Sequence, residues 1–325
     1  MRFALMIEAQ QGLSYEDQLA IVRRAADAGF EAFFRSDHYE SFPGPADHQT
    51  TDAWAVLAGL ARETAGIGLG VLVSPVTFRH PGNLAKLAVT VDAMSGGRLE
   101  VGVGAGWNEP EHRRYGFDFP PIGERADRLE ETLAILHGLW AEPDGWSFAG
   151  RHYRIDDALF RPRALAAPGR PTGPAGPRLR LLVGGTGSPR SIRIAARWAD
   201  EFNVTSSNPE QVAAKYALLD AALAAVGREP GAVTRSAMIG VLVGADAAEL
   251  RERASRLLVE IGAEEAGDAW FAERRRRWIM GTPDEARIAV ERFAAAGVER
   301  IMLQDFLPRD LDHIDLLGKE LVGRV

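Results

Sequence analysis

Apolar positions along the chain fall into two alternating kinds of run. Short, nearly continuous apolar segments rich in β-branched and aromatic residues lie at 3–7, 31–36, 67–73, 98–103, 179–183, 201–204, 236–243 and 298–303. None shows clean polar alternation, the pattern of parallel strands covered on both faces. Between them, longer segments repeat apolar residues at helical spacing. These predict helices over 15–28, 52–63, 82–94, 124–140, 189–198, 209–226, 247–261, 283–296 and 313–322. The first carries its own start and stop signals: Ser14 as N-cap, Asp17 in the capping-box position and Gly29 just past the end.

Eight strands, most followed by a helix, predict an α/β fold, a single (β/α)8 TIM barrel with insertions. An open doubly wound sheet shares the alternation; the absence of a composition break across eight units favours closure. A barrel needs roughly 250 residues, so the surplus is assigned to insertions at 141–177 and 262–280. The Pro- and Gly-rich stretch 168–177 reads as a surface loop. No internal repeat or linker divides the 325 residues, and one domain spanning 1–325 is expected.

Composition narrows the function. The chain has no cysteine, which excludes disulfides, thiolate metal sites, iron–sulfur clusters and cysteine nucleophiles together. Its formal charge of −7 argues against a nucleic-acid partner. The basic run Arg274–Arg275–Arg276–Arg277 lies in a Glu-rich segment and reads as a solvated helix face. The apolar N-terminal run ends at Glu8, too short for a signal peptide. No stretch approaches the roughly 18–20 apolar residues of a membrane span. A cytoplasmic protein is expected.

In a parallel barrel the chemistry lies at the carboxyl ends of the strands. Asp37–His38 ends the second predicted strand, and Ser74 follows the third. Gly104–Ala105–Gly106–Trp107–Asn108 ends the fourth, Gly184–Gly185–Thr186–Gly187–Ser188 the fifth, and Thr205–Ser206–Ser207–Asn208 the sixth. The turn at 184–188 joins a strand to a helix opened by Pro189. Free amides and the helix dipole there suit a phosphate; a tight turn capped by Ser188 is the alternative. Gly102–Val103–Gly104–Ala105–Gly106 is followed by Trp107–Asn108–Glu109–Pro110, not by a helix of the dinucleotide fingerprint, so its glycines are read as a surface for a flat ring. His38 suits proton transfer near neutral pH, with Asp37 to orient it or to cap the turn. Glu109, Glu111 and His112 resemble a metal or acid–base cluster but, lying in one polar loop, read as solvated or ion-paired residues, and no His-Glu-x-x-His metal spacing occurs. Trp107, Phe42 and Trp54 are candidate pocket walls, Trp54 equally a core residue. No lysine follows a strand end as a Schiff-base candidate.

Several segments together resemble the luciferase-like monooxygenase superfamily, in its branch of coenzyme F420-dependent oxidoreductases. They are Ser36–Asp37–His38, the run Val73–Ser74–Pro75–Val76–Thr77–Phe78–Arg79–His80–Pro81, Met94 to Arg98, Gly106 to Gly116, Leu182 to Gly187 and Gly281 to Glu285. The resemblance implies a deazaflavin ring lying over a bulge at the end of strand three, within Val71–Leu72–Val73–Ser74, where relatives hold a non-prolyl cis peptide. It implies contacts to that ring from Asp37, His38, Gly106 and Asn108, and a phosphate cradle at Gly184, Gly185, Thr186 and Gly187. Trp107 stands where sugar-phosphate dehydrogenases of the superfamily carry a glutamate. That departure, with Phe42, favours an apolar or aromatic substrate.

The activity implied is hydride transfer between coenzyme F420 and a small organic substrate, with His38 and Asp37 as the catalytic pair. The alternative is a two-component FMN monooxygenase supplied by a partner flavin reductase; a non-catalytic flavin-binding protein is the reading of another class. Arg79, Arg113, Arg114 and Arg274 to Arg277 are candidates for attracting the acidic oligoglutamate tail of F420. A homodimer is expected by the same resemblance, and no metal.

Overall fold

The computed structural model describes residues 1–324. Among them, eight parallel strands close into a barrel: β1 (Arg2–Ile7), β2 (Ala32–Arg35), β3 (Gly68–Pro75), β4 (Leu99–Gly104), β5 (Arg180–Gly185), β6 (Glu201–Thr205), β7 (Thr234–Val243) and β8 (Arg300–Asp305). Each pairs with its neighbour in sequence. The circle is completed by β1 against β8, with Phe3 opposite Ile301 and Leu5 opposite Leu303. The fold is the (β/α)8 barrel that the alternation predicted.

Eleven α-helices occur among the described residues. They are α1 (Tyr15–Asp27), α2 (Ala53–Glu63), α3 (Pro81–Ser95), α4 (Glu109–Tyr115), α5 (Ile122–Ala141), α6 (Pro189–Trp198), α7 (Pro209–Ala225), α8 (Ala247–Glu260), α9 (Gly267–Arg274), α10 (Pro283–Ala295) and α11 (Leu311–Glu320). Their starts follow from local chemistry. Ser14 and Asp17 form the expected capping box of α1, Asn208 and Gln211 that of α7, and Ser188 accepts from Ser191 N at the head of α6.

Strand alternation divides the apolar side chains into two cores. Leu5, Ile7, Phe33, Val71, Val101, Leu181 and Phe202 face outward against the helices. Ala4, Met6, Ala32, Phe34, Leu72, Leu182 and Met302 fill the barrel interior. At the amino ends of the strands, Arg300 reaches Glu100 (2.7 Å) and Glu201 (3.1 Å), and Arg180 reaches Glu201 (3.0 Å).

The insertions carry more structure than expected. Within 141–177, Trp146–Ala149 pairs antiparallel with Arg154–Ala158. The stretch read as a bare loop holds a small ladder, Thr172–Gly173 against Gly176–Pro177. Within 262–280, α9 is followed by a short strand, Ile279–Gly281, on the far part of β7. No helix among the described residues is long and apolar enough to cross a membrane.

Candidate active site

The strand-three bulge organises the carboxyl end of the barrel. Val71 lies opposite Val101 on β4 but Ser74 lies opposite Val103, so Leu72 and Val73 share one partner position. The Leu72–Val73 peptide is cis. This changes the reading of the strand-four glycines. A Cβ on Gly102 would lie 2.2 Å from the Val71 carbonyl oxygen, and one on Gly104 2.6 Å from Val73 Cγ2. A Cβ on Gly184 would lie 2.8 Å from Val73 Cγ1. Gly102 and Gly104 therefore make room for the bulge rather than for a flat ring; the extra residue of β3 needs space that only a glycine leaves. Gly106 is different: its φ of +79° requires a glycine where the chain turns out of β4.

His38, Phe42 and Trp107 come together. The His38 ring lies 4.5 Å from that of Phe42 and 5.8 Å from that of Trp107, and Phe42 and Trp107 are 5.4 Å apart, all edge to face. Trp107 is 66% exposed, so it walls an opening rather than filling a core. Trp54 is core: it is buried and donates through Nε1 to Ser74 Oγ (2.9 Å).

Asp37 is not the partner of His38. The Asp37 carboxylate is engaged elsewhere. It accepts from Ser74 Oγ (2.7 Å) and from Arg79 Nη1 (2.5 Å) and Nη2 (3.3 Å). Arg79 also donates to Asp52 (2.6 Å) and Tyr39 Oη (3.0 Å). Burial lowers the Arg79 affinity for its proton, but Asp37 and Asp52 outweigh it and the net direction is up. Burial likewise pushes the Tyr39 phenol up. Arg79 is thus committed to this network and is no free cation for an acidic tail. Arg114 is paired with Glu40 (2.5 Å).

The residue that holds His38 is Glu111. Its Oε2 lies 2.9 Å from His38 Nδ1, while Oε1 accepts from Tyr39 N and from Glu40 N (3.2 Å). A carboxylate only accepts, which puts the shared proton on Nδ1 and leaves Nε2 without a partner among the described residues. Glu111 and His112 sit in α4, a helix where a loop was expected, and both are buried. Asn108 precedes α4 without capping it through its side chain. Its carbonyl accepts from His112 Nδ1 (2.6 Å), and His112 Nε2 lies 2.6 Å from Thr77 Oγ1, which ties α4 to the segment after β3.

At the end of β5 the turn Gly184–Gly187 leads into α6. A Cβ on Gly185 would meet nothing within 4 Å, so its backbone borders open space, and Thr186 is exposed. Gly187 (φ +78°) packs on the alkyl stem of Lys215 from α7, whose ammonium donates to Ser207 Oγ (2.6 Å). Burial lowers the Lys215 pKa. Near the end of β1, Glu8 accepts from Gln10 Nε2 (2.9 Å), which also donates to the Phe42 carbonyl (3.0 Å). Gln11 is buried with both amide atoms unpaired. Lys215 and Gln11 escaped sequence reasoning, whereas Glu111 was singled out but read as a solvated or ion-paired loop residue. For Gln11 a signal existed, since two glutamines directly after a strand are unusual in a core. No group of acidic and histidine side chains that could hold a metal occurs among the described residues.

Fold and site together define a barrel of the kind that hosts its chemistry at the strand ends. The sequence pattern of the family described as luciferase-like monooxygenase matches residues 1–300, and the chain belongs to that family. Among curated relatives, the pyrimidine monooxygenase RutA of Stutzerimonas stutzeri is 27% identical, over 80% of this chain and 69% of that protein. An F420-dependent glucose-6-phosphate dehydrogenase of Nakamurella multipartita is 28% identical, over 92% of this chain and 76% of that one. Among solved structures, an F420-dependent secondary alcohol dehydrogenase in complex with an F420-acetone adduct superposes with a TM-score of 0.80 at 20% identity, covering 98% of both chains. The monooxygenase RslO1 from Streptomyces bottropensis gives 0.81 at 24% identity, over 99% of this chain and 98% of that one. These two likenesses bear on the fold.

Proposed function

We propose that this protein is an oxidoreductase that moves a hydride between a deazaflavin of the F420 type and a small, uncharged apolar or aromatic substrate. The observation that carries the reading is the His38–Glu111 pair: a histidine at a strand end, one nitrogen fixed by a buried carboxylate and the other unpaired, flanked by the Phe42 and Trp107 rings. The relatives named as F420-dependent support the cofactor class.

The residues present fit such a group. The open face of Gly185 and the first-turn amides of α6 suit a phosphate, with Lys215 as a nearby cation. The unpaired Gln11 amide is a group that a ligand at this end of the barrel would satisfy. The bulge Val71–Ser74, Gly106 and Asn108 would back and edge the ring, with Asp37 held beneath by Arg79. When bound, the deazaflavin supplies a carbon that accepts or returns the hydride. As substrate is oxidised, His38 Nε2 takes the proton that accompanies the hydride; in the reverse direction it gives that proton back. Phe42 and Trp107 shape the opening and exclude water. Trp107 offers no charge to a sugar phosphate.

An FMN monooxygenase fed by a separate reductase is the second reading, supported by the likeness to the pyrimidine monooxygenase. Parallel titration with F420 and FMN, followed by fluorescence, separates the two. The expected result is tighter F420 binding and bleaching of its absorbance when small uncharged organic compounds are screened as hydride donors. Tight FMN binding with oxygen uptake, and no deazaflavin binding, would overturn the proposal.

A further inference from the structure

The structure carries a basic groove that the proposed hydride chemistry leaves unused. It has a volume of about 560 Å³ and lies between α5, α6 and α7, with Arg190, Arg193 and Arg197 on one side and Ile194, Ala225 and Val226 as its apolar floor. The three arginines stand at i, i+3 and i+7 on α6, which puts them on one face of that helix. Arg190 is the second residue of α6, directly after the turn Gly184–Ser188. The groove therefore begins at the candidate phosphate cradle and runs about 10 Å down the helix at 1.5 Å per residue.

The charge here opposes that of the molecule. Two carboxylates face this surface from α5. Asp127 pairs with Arg190 and lies 3.9 Å from Arg151, and Glu130 lies 3.5 Å from Arg197. Arg193 is exposed and has no carboxylate partner among the described residues. Four guanidinium groups against two carboxylates leave a local excess of positive charge on a chain whose formal charge is −7. The α7 side of the groove offers only Ala222, Ala225 and Val226. An unpaired arginine in a concave cationic strip is a site for an anion with several charges, because clefts lined by one sign concentrate the opposite one.

We infer that this groove holds the acidic oligoglutamate tail of the deazaflavin, entered from the phosphate at Gly184–Gly187. The inference rests on the deazaflavin reading. In F420 the glutamates are joined to the phosphate through a lactyl unit, so a phosphate on the α6 amides delivers the tail past Arg190, which Asp127 and the Gly123 carbonyl hold, to the unpaired Arg193 and then to Arg197 beside Glu130. FMN ends at its phosphate and would leave the groove empty. The groove thus acts as a device for choosing between the two cofactors.

The test compares intact F420 with its truncated form, which keeps the phosphate and lactyl unit but lacks the glutamates. Affinity is read by deazaflavin fluorescence on the wild type, Arg193→Glu and Arg193→Glu/Arg197→Glu. Both positions are exposed, so folding should survive, and a thermal melt checks it. The tailed cofactor should bind the wild type more tightly than the truncated one, by a margin that shrinks with added salt. Charge reversal at Arg193 should weaken the tailed form roughly two- to fivefold, the scale of one exposed charge, and leave the truncated form unchanged. Equal affinity for both forms, or an equal loss for both in the variants, would overturn the tail site while leaving the deazaflavin reading intact. Failure of both forms to bind would overturn that reading and the inference with it.

Discussion

Glu111 decides what His38 can do. Its carboxylate fixes the proton on Nδ1, and the tautomer set by one ring nitrogen determines the other, so Nε2 is held as the acceptor. Glu111 is therefore a positioning residue. His38→Ala removes the proton carrier, and turnover should fall by about 10² or more, with little change in cofactor affinity. In Glu111→Gln the amide oxygen stays with the Tyr39 and Glu40 N–H groups, so the NH2 group faces His38 Nδ1 and the ring proton should move to Nε2. The expected outcome is roughly a tenfold loss of kcat at nearly constant KM, with nitrogen chemical shifts of His38 reporting the displaced proton. A variant with wild-type shifts and wild-type kcat would leave Glu111 a structural residue only. Sequence could not have supplied this pair. Its members are 73 residues apart, and the seven residues of α4 are too few to display a period. Asp37 was legible as important but misplaced in role, because its partners, Ser74 and Arg79, lie on and after another strand, a contact that adjacency to His38 does not reveal.

Among the elements, the strands and the long helices were legible because each buries a continuous stripe or face, and their caps, Ser14 and Ser188 among them, are written locally. The bulge at Leu72–Val73 was located only by resemblance, and the glycines that receive it were misread. Gly102 and Gly104 answer to a carbonyl and a methyl group on the neighbouring strand, a contact that depends on register. The packing of α5 on α6 yields a prediction of its own. His137 on α5 lies with Nε2 2.9 Å from the Trp198 carbonyl at the end of α6. Burial, reinforced by the positive charge of Arg178, pulls its pKa from 6.5 down to about 4. The folded state thus resists a proton that the unfolded chain accepts. Stability from this site is complete above about 6.5 and is lost progressively as pH falls to about 4, to a total of roughly 1–3 kcal/mol. His137→Gln keeps a donor for the carbonyl and does not titrate. Over that interval its denaturation midpoint should fall less than that of the wild type; parallel curves would mean that His137 protonates equally in both states.

At the scale of the whole molecule, closure of the barrel brings opposite ends of the chain into one charged cluster. Arg300 on β8 joins Glu100 on β4 and Glu201 on β6, with Arg180 of β5 beside them. The predicted barrel puts these strand starts at one end, but charged residues there read as solvated, and no pattern along the sequence shows which of them meet across the closed ring. Arg300 is almost fully buried and Glu201 entirely so. Burial pushes the Glu100 carboxyl up, but Arg300 and Arg180 outweigh it and hold it below its usual 4.5. A carboxyl lowered on folding contributes stability that is present above about 4.5 and lost as pH falls through its folded value. Arg300→Met removes the cation from buried Glu201 and from partly buried Glu100 and Glu31. Near neutral pH this should cost about 3–5 kcal/mol, the scale of a broken buried pair. The deficit should narrow below about pH 4.5, because protonation relieves the variant's stranded carboxylates while it disarms the wild-type pair. Denaturant titrations of both proteins across that range give the comparison directly. A deficit independent of pH would locate the contribution of Arg300 in its packing, including its approach to the Phe34 ring at 5.2 Å, rather than in its charge.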